Sequence, residues 1–218
     1  MIGIRRRIEG ASHDLDAISR AIESGAGVGG EASSVISAIA LAGLGPDLGP
    51  PLIRAESPHP RLIRGASESA LAKLLPKATR PHILVLSAGL LQILDDWDAS
   101  HKAAQVADDL GEPEFAAYWH AIAHRREPDP GNASYWFRRV GAHSVFDTLA
   151  FSVRPMLEAH GDEALHGHLL AGGIWDPMAF VRFCSEAANH PGSPQEKLAR
   201  RIQRMEMLLL LDATCRPL

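Results

Sequence analysis

The chain has 218 residues, 46% hydrophobic and 22% charged, with a formal net charge of −4. That is enough apolar mass for one packed core, and it excludes a low-complexity or disordered chain. A mildly acidic balance, pI ≈ 6.2, argues against a protein that coats nucleic acid. The two cysteines, Cys184 and Cys215, stand far apart with no C-x-x-C spacing, so free thiols in a reducing compartment are expected. The longest apolar run, Met207 to Leu211, falls well short of the roughly 18 residues of a membrane span. Arg5-Arg6-Arg7 is followed by a stretch too polar for a signal peptide. The expectation is a soluble, cytoplasmic protein with neither a membrane nor a nucleic-acid partner.

Helix patterns dominate from the start. Ser12 caps an expected helix over 13–24, with Leu15, Ile18 and Ile22 on one face. Gly25, Gly27, Gly29 and Gly30 break it, and their G-x-G look is not a dinucleotide loop because no strand precedes it. An apolar stretch from Val35 to Leu44 follows. Between Gly45 and Pro60 five prolines and two glycines make a loop. Residues 1–60 therefore read as a loosely specified helical lead-in, and 61–218 as the main helical domain. Ser67 starts a helix that stops at Pro76. Ile83 to Leu94 is apolar on most sides and belongs in the core. Asp98 is expected to cap a helix to about Leu110, closed by Gly111. Pro113 opens the next, to Arg126. Asn132 is expected to cap a short helix to Val140. Helices over 143–159, with a kink at Pro155, and 162–171 follow. Asp176-Pro177 opens one to about Asn189. Ser193-Pro194-Gln195-Glu196 is a capping box leading the last helix to about Ala213. No strand alternation exceeds four residues. The fold class is thus all-α: a single domain of about eight to ten helices around an antiparallel pair at about 99–126.

Residues 95–143 hold three of the four tryptophans, both tyrosines and four of the eleven histidines. Large aromatics want burial, so the interleaved His, Arg and Asn need partners. His120 and His124 are four apart and share a helix face. Glu127 falls near the same azimuth. These three are the candidate catalytic residues, a histidine acting as general base or metal ligand. His101 lies ten residues before Gly111 and His120 nine after it. An antiparallel hairpin would set them side by side, making His101, His120 and His124 a candidate set for a divalent metal. The zincin form H-E-x-x-H is absent, because Ala121 follows His120. The competing interpretation is a pair of buried histidines bonded to Asp95, Asp98 or main-chain carbonyls.

Arg125, Arg126, Arg138 and Arg139 flank a turn, and guanidinium groups grip carboxylates and phosphates. With Asn132, Tyr135 and His143 they form a candidate pocket for a small anionic molecule. The alternative is internal pairing, since residues 95–114 carry seven acids against the single base Lys102. His143 alternatively stands at a helix start on the surface. His160, His166 and His168 read as surface, Arg200, Arg201 and Arg204 as a solvated face, and Cys184 as inert core.

The run Tyr118-Trp119-His120-Ala121, continuing through His124-Arg125-Arg126-Glu127-Pro128-Asp129 to Asn132-Ala133-Ser134-Tyr135-Trp136-Phe137-Arg138-Arg139-Val140-Gly141, resembles a signature of a group of uncharacterised microbial proteins, YWHAxxHRREPDxxNAxYWFRRVG. The resemblance spans about 95–185, including Trp97-Asp98-x-x-His101 and Trp175-Asp176-Pro177, and it implies no assigned reaction. Two readings stand. One is a small-molecule site lined by His and Arg, with or without a metal. The other is a non-enzymatic helical interaction module whose His and Arg are internally paired.

Overall fold

A computed structural model describes residues 30–215. The helix expected over 13–24 lies outside them. The described residues form eleven α-helices and no strand: α1 (Gly30–Leu44), α2 (Pro60–Ile63), α3 (Glu68–Leu74), α4 (Arg80–Ile93), α5 (Trp97–Asp109), α6 (Pro113–Arg126), α7 (Pro130–Val140), α8 (Ser144–His160), α9 (Glu163–Leu169), α10 (Pro177–Ala187) and α11 (Pro194–Cys215). The count exceeds the expected eight to ten. Short segments such as the one-turn α2 add to it, where proline-rich flanks hide the helical period. None of the described helices is long and apolar enough to cross a membrane.

Helix starts follow local capping chemistry, with two corrections. Asp96, not Asp98, caps α5: its side chain accepts the Ala99 N–H at 3.3 Å. Asp129, not Asn132, caps α7: its carboxylate accepts the Asn132 N–H at 3.0 Å, with Pro130 at the first helical position. The Asp-Pro device that opens α10, where Asp176 accepts from Met178 and Ala179, is the same one. Asn132 is left in the first turn with its side chain free for other work. At the start of α11, Ser193 accepts the Glu196 N–H, while Glu196 reaches back one residue beyond the cap, to Gly192. Between α5 and α6 the chain turns at Gly111, whose φ of 90° suits only glycine.

One core runs through the described residues. Ile36, Ile39 and Leu44 of α1 share it with Leu86, Leu90 and Leu94, with Ile122, and with Leu208 and Leu210 of α11. Residues 30–60 are therefore fastened to the rest. The proline-rich loop is held by α11: Arg201 pairs with Asp47, Arg200 bonds the Gly49 carbonyl, and Gln203 bonds the Pro50 carbonyl. Arg204 donates to the carbonyls of Leu44 and Gly45. A solvated face describes Arg201, which is exposed, but not Arg200 and Arg204, which are half-buried. The three clasp a segment poor in its own backbone bonds, where carbonyls need donors.

Helix α4 is buried from His82 to Ile93, and α6 from Ala116 to Arg126. They pack on each other, with α5 against both and α7 against α6. Gly89 of α4 lies under the Trp119 indole; a Cβ there would sit 2.7 Å from the ring. A helix enclosed on every side must bury its polar residues as well, and each then requires a partner. That requirement explains the mixed composition of Tyr118 to Arg126.

Candidate metal centre

The centre is built by α5 and α6. His101 comes from the middle of α5; His120 and His124 come from successive turns of α6. The Nε2 atoms of His101 and His120 are 2.8 Å apart, and those of His101 and His124 are 3.3 Å apart. These ring nitrogens lie within 4.8 Å of one another. His120 and His124 are buried and His101 is half-buried. The alternative partners, Asp95 and Asp98, engage elsewhere, and Asp98 reaches the cluster only through its charge, which opposes the lowering of the His101 pKa. Asp95 pairs with Arg126, and Asp98 lies 3.7 Å from Arg54.

Two tryptophans wall the cluster. The Trp97 ring stacks on His101 at 4.8 Å, and Trp136 stacks on His120 at 3.9 Å. Trp97 is fixed by its indole N–H, which donates to the Ala123 carbonyl at 2.7 Å. Each wall carries a guanidinium on its surroundings: Arg54 over Trp97 at 4.4 Å and Arg139 over Trp136 at 4.6 Å. Burial pushes the His120 imidazolium down to about 3, reinforced by the charges of His101, His124 and Arg139. Burial and then His124 lower His101 as well. Both rings are consequently neutral at neutral pH, the state a metal ligand needs.

Glu127 does not face the three Nε2 atoms. Its Oε2 lies 2.8 Å from Nδ1 of His124. The carboxylate accepts the Nδ1 proton, which leaves the Nε2 lone pair of His124 pointing at the cluster. Asn132 lies on the remaining side. Its amide nitrogen lies 3.3 Å from Nδ1 and 3.1 Å from Nε2 of His124, over the face of the ring. Asn132 and Glu127 are both half-buried.

The arginines divide. Arg125 and Glu206 are fully buried, with Nη1 to Oε1 at 3.2 Å, and Tyr118 donates to the same Oε1 at 3.1 Å. Arg126 bonds Asp95 and donates to the carbonyls of Pro51 and Gln92. The anion contacts expected of Arg125 and Arg126 are thus filled from within the chain, because carboxylates on α11 and after α4 reach them first. Arg139 grips Asp108 with both Nη atoms, at 3.0 and 3.2 Å. Arg138 is exposed, and Tyr135 is 50% exposed, edge-on to Trp136. His143 is buried at the start of α8 among Phe115, Tyr118 and Phe146. Its Nδ1 accepts the Val145 N–H at 3.1 Å, so it caps a helix and does not join the other histidines. Cys184 is buried core whose thiol is pushed up to about 12 by burial.

Sequence reasoning missed the roles of Trp97 and Trp136 as walls and of Arg54 outside them. The W-x-x-x-H spacing of Trp97 and His101, one helical turn, was available as a signal. Compared with protein-family models, curated proteins and solved structures, the chain matches none.

Proposed function

We propose that this protein holds one divalent transition-metal ion on His101, His120 and His124 and uses it on a small molecule. The convergence of three Nε2 atoms carries this reading. Nitrogens bound at 2.0–2.1 Å to a tetrahedral ion lie about 3.3 Å apart, and His101 and His124 already have that spacing. The 2.8 Å separation of His101 and His120 is a hydrogen bond that opens by about 0.5 Å on loading. In this reading α5 and α6 run antiparallel, which brings residues equidistant from Gly111 together. Glu127 orients His124 and raises its basicity. The free Cys184 and Cys215 support a reducing, cytoplasmic setting.

The non-enzymatic alternative, a helical module with internally paired polar groups, draws on Arg125 and Arg126, which are sequestered by Glu206 and Asp95. Elemental analysis of the purified full chain, before and after incubation with zinc and cobalt, separates the two. The metal reading expects about one ion per chain, lost in His120→Ala. Stoichiometry near zero after loading overturns it and leaves the helical module.

A further inference from the structure

We infer that the cleft between α9 and α10 is a binding site for a free α-amino acid with an apolar side chain. The cleft holds a cavity of about 290 Å³ that shares no residue with the histidine centre, so the inference goes beyond the metal reading and stands without it. The floor is apolar. Leu169, Ala179 and Phe183 are buried there, and Leu165 is half-buried beside them. The polar groups stand at the rim: α9 contributes His168, and α10 contributes Arg182 and Glu186. Apolar walls with a few polar groups are the usual make-up of a small-molecule pocket, and this volume suits a ligand smaller than a drug-sized one.

The rim charges select the ligand. Arg182 and Glu186 are one helical turn apart, a spacing at which opposite charges often pair. Glu196 and Arg200 of α11 do so at 3.5 Å. Arg182 and Glu186 do not: among the described residues neither side chain has an ion-pair or hydrogen-bond partner. The order Arg before Glu is the less favourable one across a turn, which leaves both groups open to a ligand. A cation and an anion beside an apolar cavity match a molecule with a carboxylate, an ammonium group and an apolar body. An α-amino acid has all three. Its carboxylate pairs with Arg182, its ammonium with Glu186, and its side chain lies on Leu165, Leu169 and Phe183. A simple apolar acid would set like charge against Glu186, and a simple amine against Arg182. The side chain of an internal peptide residue would fill the floor and leave both rim charges unused.

The test titrates L-phenylalanine into the isotope-labelled full-length chain and follows the backbone amide signals by NMR. Saturable shifts confined to α9 and α10 are expected, with a dissociation constant of about 1 mM or below. N-acetyl-L-phenylalanine lacks the ammonium group and L-phenylalaninamide lacks the carboxylate. Exposed ion pairs are weak, so each compound should bind about two- to fivefold less tightly than L-phenylalanine. Arg182→Gln should lower the affinity for L-phenylalanine by a similar factor and leave that for L-phenylalaninamide unchanged. Glu186→Gln should do the same and leave N-acetyl-L-phenylalanine unchanged. Both residues are exposed, so neither substitution should disturb the fold. Absence of saturable shifts overturns the inference, as do shifts centred on other helices. Equal binding of the three compounds, or rim variants that change nothing, shows an apolar cleft with no preference for a zwitterion. That result overturns the inference and fits a peptide side chain instead. None of these outcomes depends on metal uptake.

Discussion

At the scale of single residues, the centre depends on which nitrogen carries each proton. Glu127 accepts from Nδ1 of His124, and this one contact selects the tautomer that leaves Nε2 available. Glu127→Ala should therefore lower metal affinity 10- to 100-fold, the usual effect of losing a partner behind a ligand histidine. Competition titration against a chromophoric chelator measures it. An unchanged affinity would mean that Glu127 is a helix-end carboxylate with no bearing on the centre. The tryptophans supply a second readout. Trp97 and Trp136 stack within 5 Å of His101 and His120, so a paramagnetic ion such as copper(II) bound there should quench both. Trp136→Phe should remove part of that quenching and leave uptake intact.

At the scale of elements, His143 shows how a buried cap ties a helix to pH. Its Nδ1 accepts the Val145 N–H, so protonation there costs the cap of α8. Burial lowers its pKa in the folded chain, while Glu114 opposes the shift. A histidine lowered on folding contributes its full stability above the unfolded value near 6.5, and that contribution falls as pH drops through the window beneath it. His143→Asn keeps a cap acceptor that does not titrate. Thermal melts between pH 7 and pH 5 should show a smaller loss for His143→Asn than for the wild type. A parallel loss in both would place the titration elsewhere, at the histidine cluster. How much of this was legible in the sequence varied with range. Meeting of His101 with His120 and His124 followed from i, i+4 spacing and from equal distances to Gly111, both local facts. Caps were local too, yet Asp95-Asp96-Trp97-Asp98 offers three acids and spacing alone does not select Asp96. Asp129-Pro130 was decipherable, since Asp176-Pro177 repeats it. The partners of Arg125 and Arg126 were not, because Glu206 lies 81 residues from Arg125. No periodicity reports such a distance.

At the scale of the whole molecule, α6 is the axle around which the other elements are ordered, and its polar residues connect them. Arg126 joins the proline-rich loop at Pro51 to the end of α4 through Gln92 and Asp95. Asp95 itself takes a positive φ of 63°, a conformation that an Asp tolerates better than most residues, and its carboxylate also accepts the Ala55 N–H at 3.3 Å. Arg125 joins α6 to α11 through Glu206, with Tyr118 as third partner. Close packing holds the opposite face, where Gly89→Ala would drive a methyl group to 2.7 Å from the fully buried Trp119. Removing a helix glycine gains about 1 kcal/mol, but overpacking costs about 1–3 kcal/mol, so a net loss is expected in urea denaturation. The ion pair makes the sharper case. Burying two charges is expensive, and their attraction offsets that cost only while both are present. Glu206→Ala leaves the fully buried Arg125 guanidinium without its carboxylate, and it strips the Tyr118 hydroxyl of its acceptor. A loss of about 3–5 kcal/mol is expected, seen as a lower urea midpoint at nearly constant slope. Arg125→Met with Glu206→Leu removes both charges and should recover most of that loss, since an apolar pair of similar volume often matches a buried ion pair. If the double variant stays as unstable as Glu206→Ala, the pair stabilises α11 on α6 through its hydrogen bonds to Tyr118 and not through charge balance.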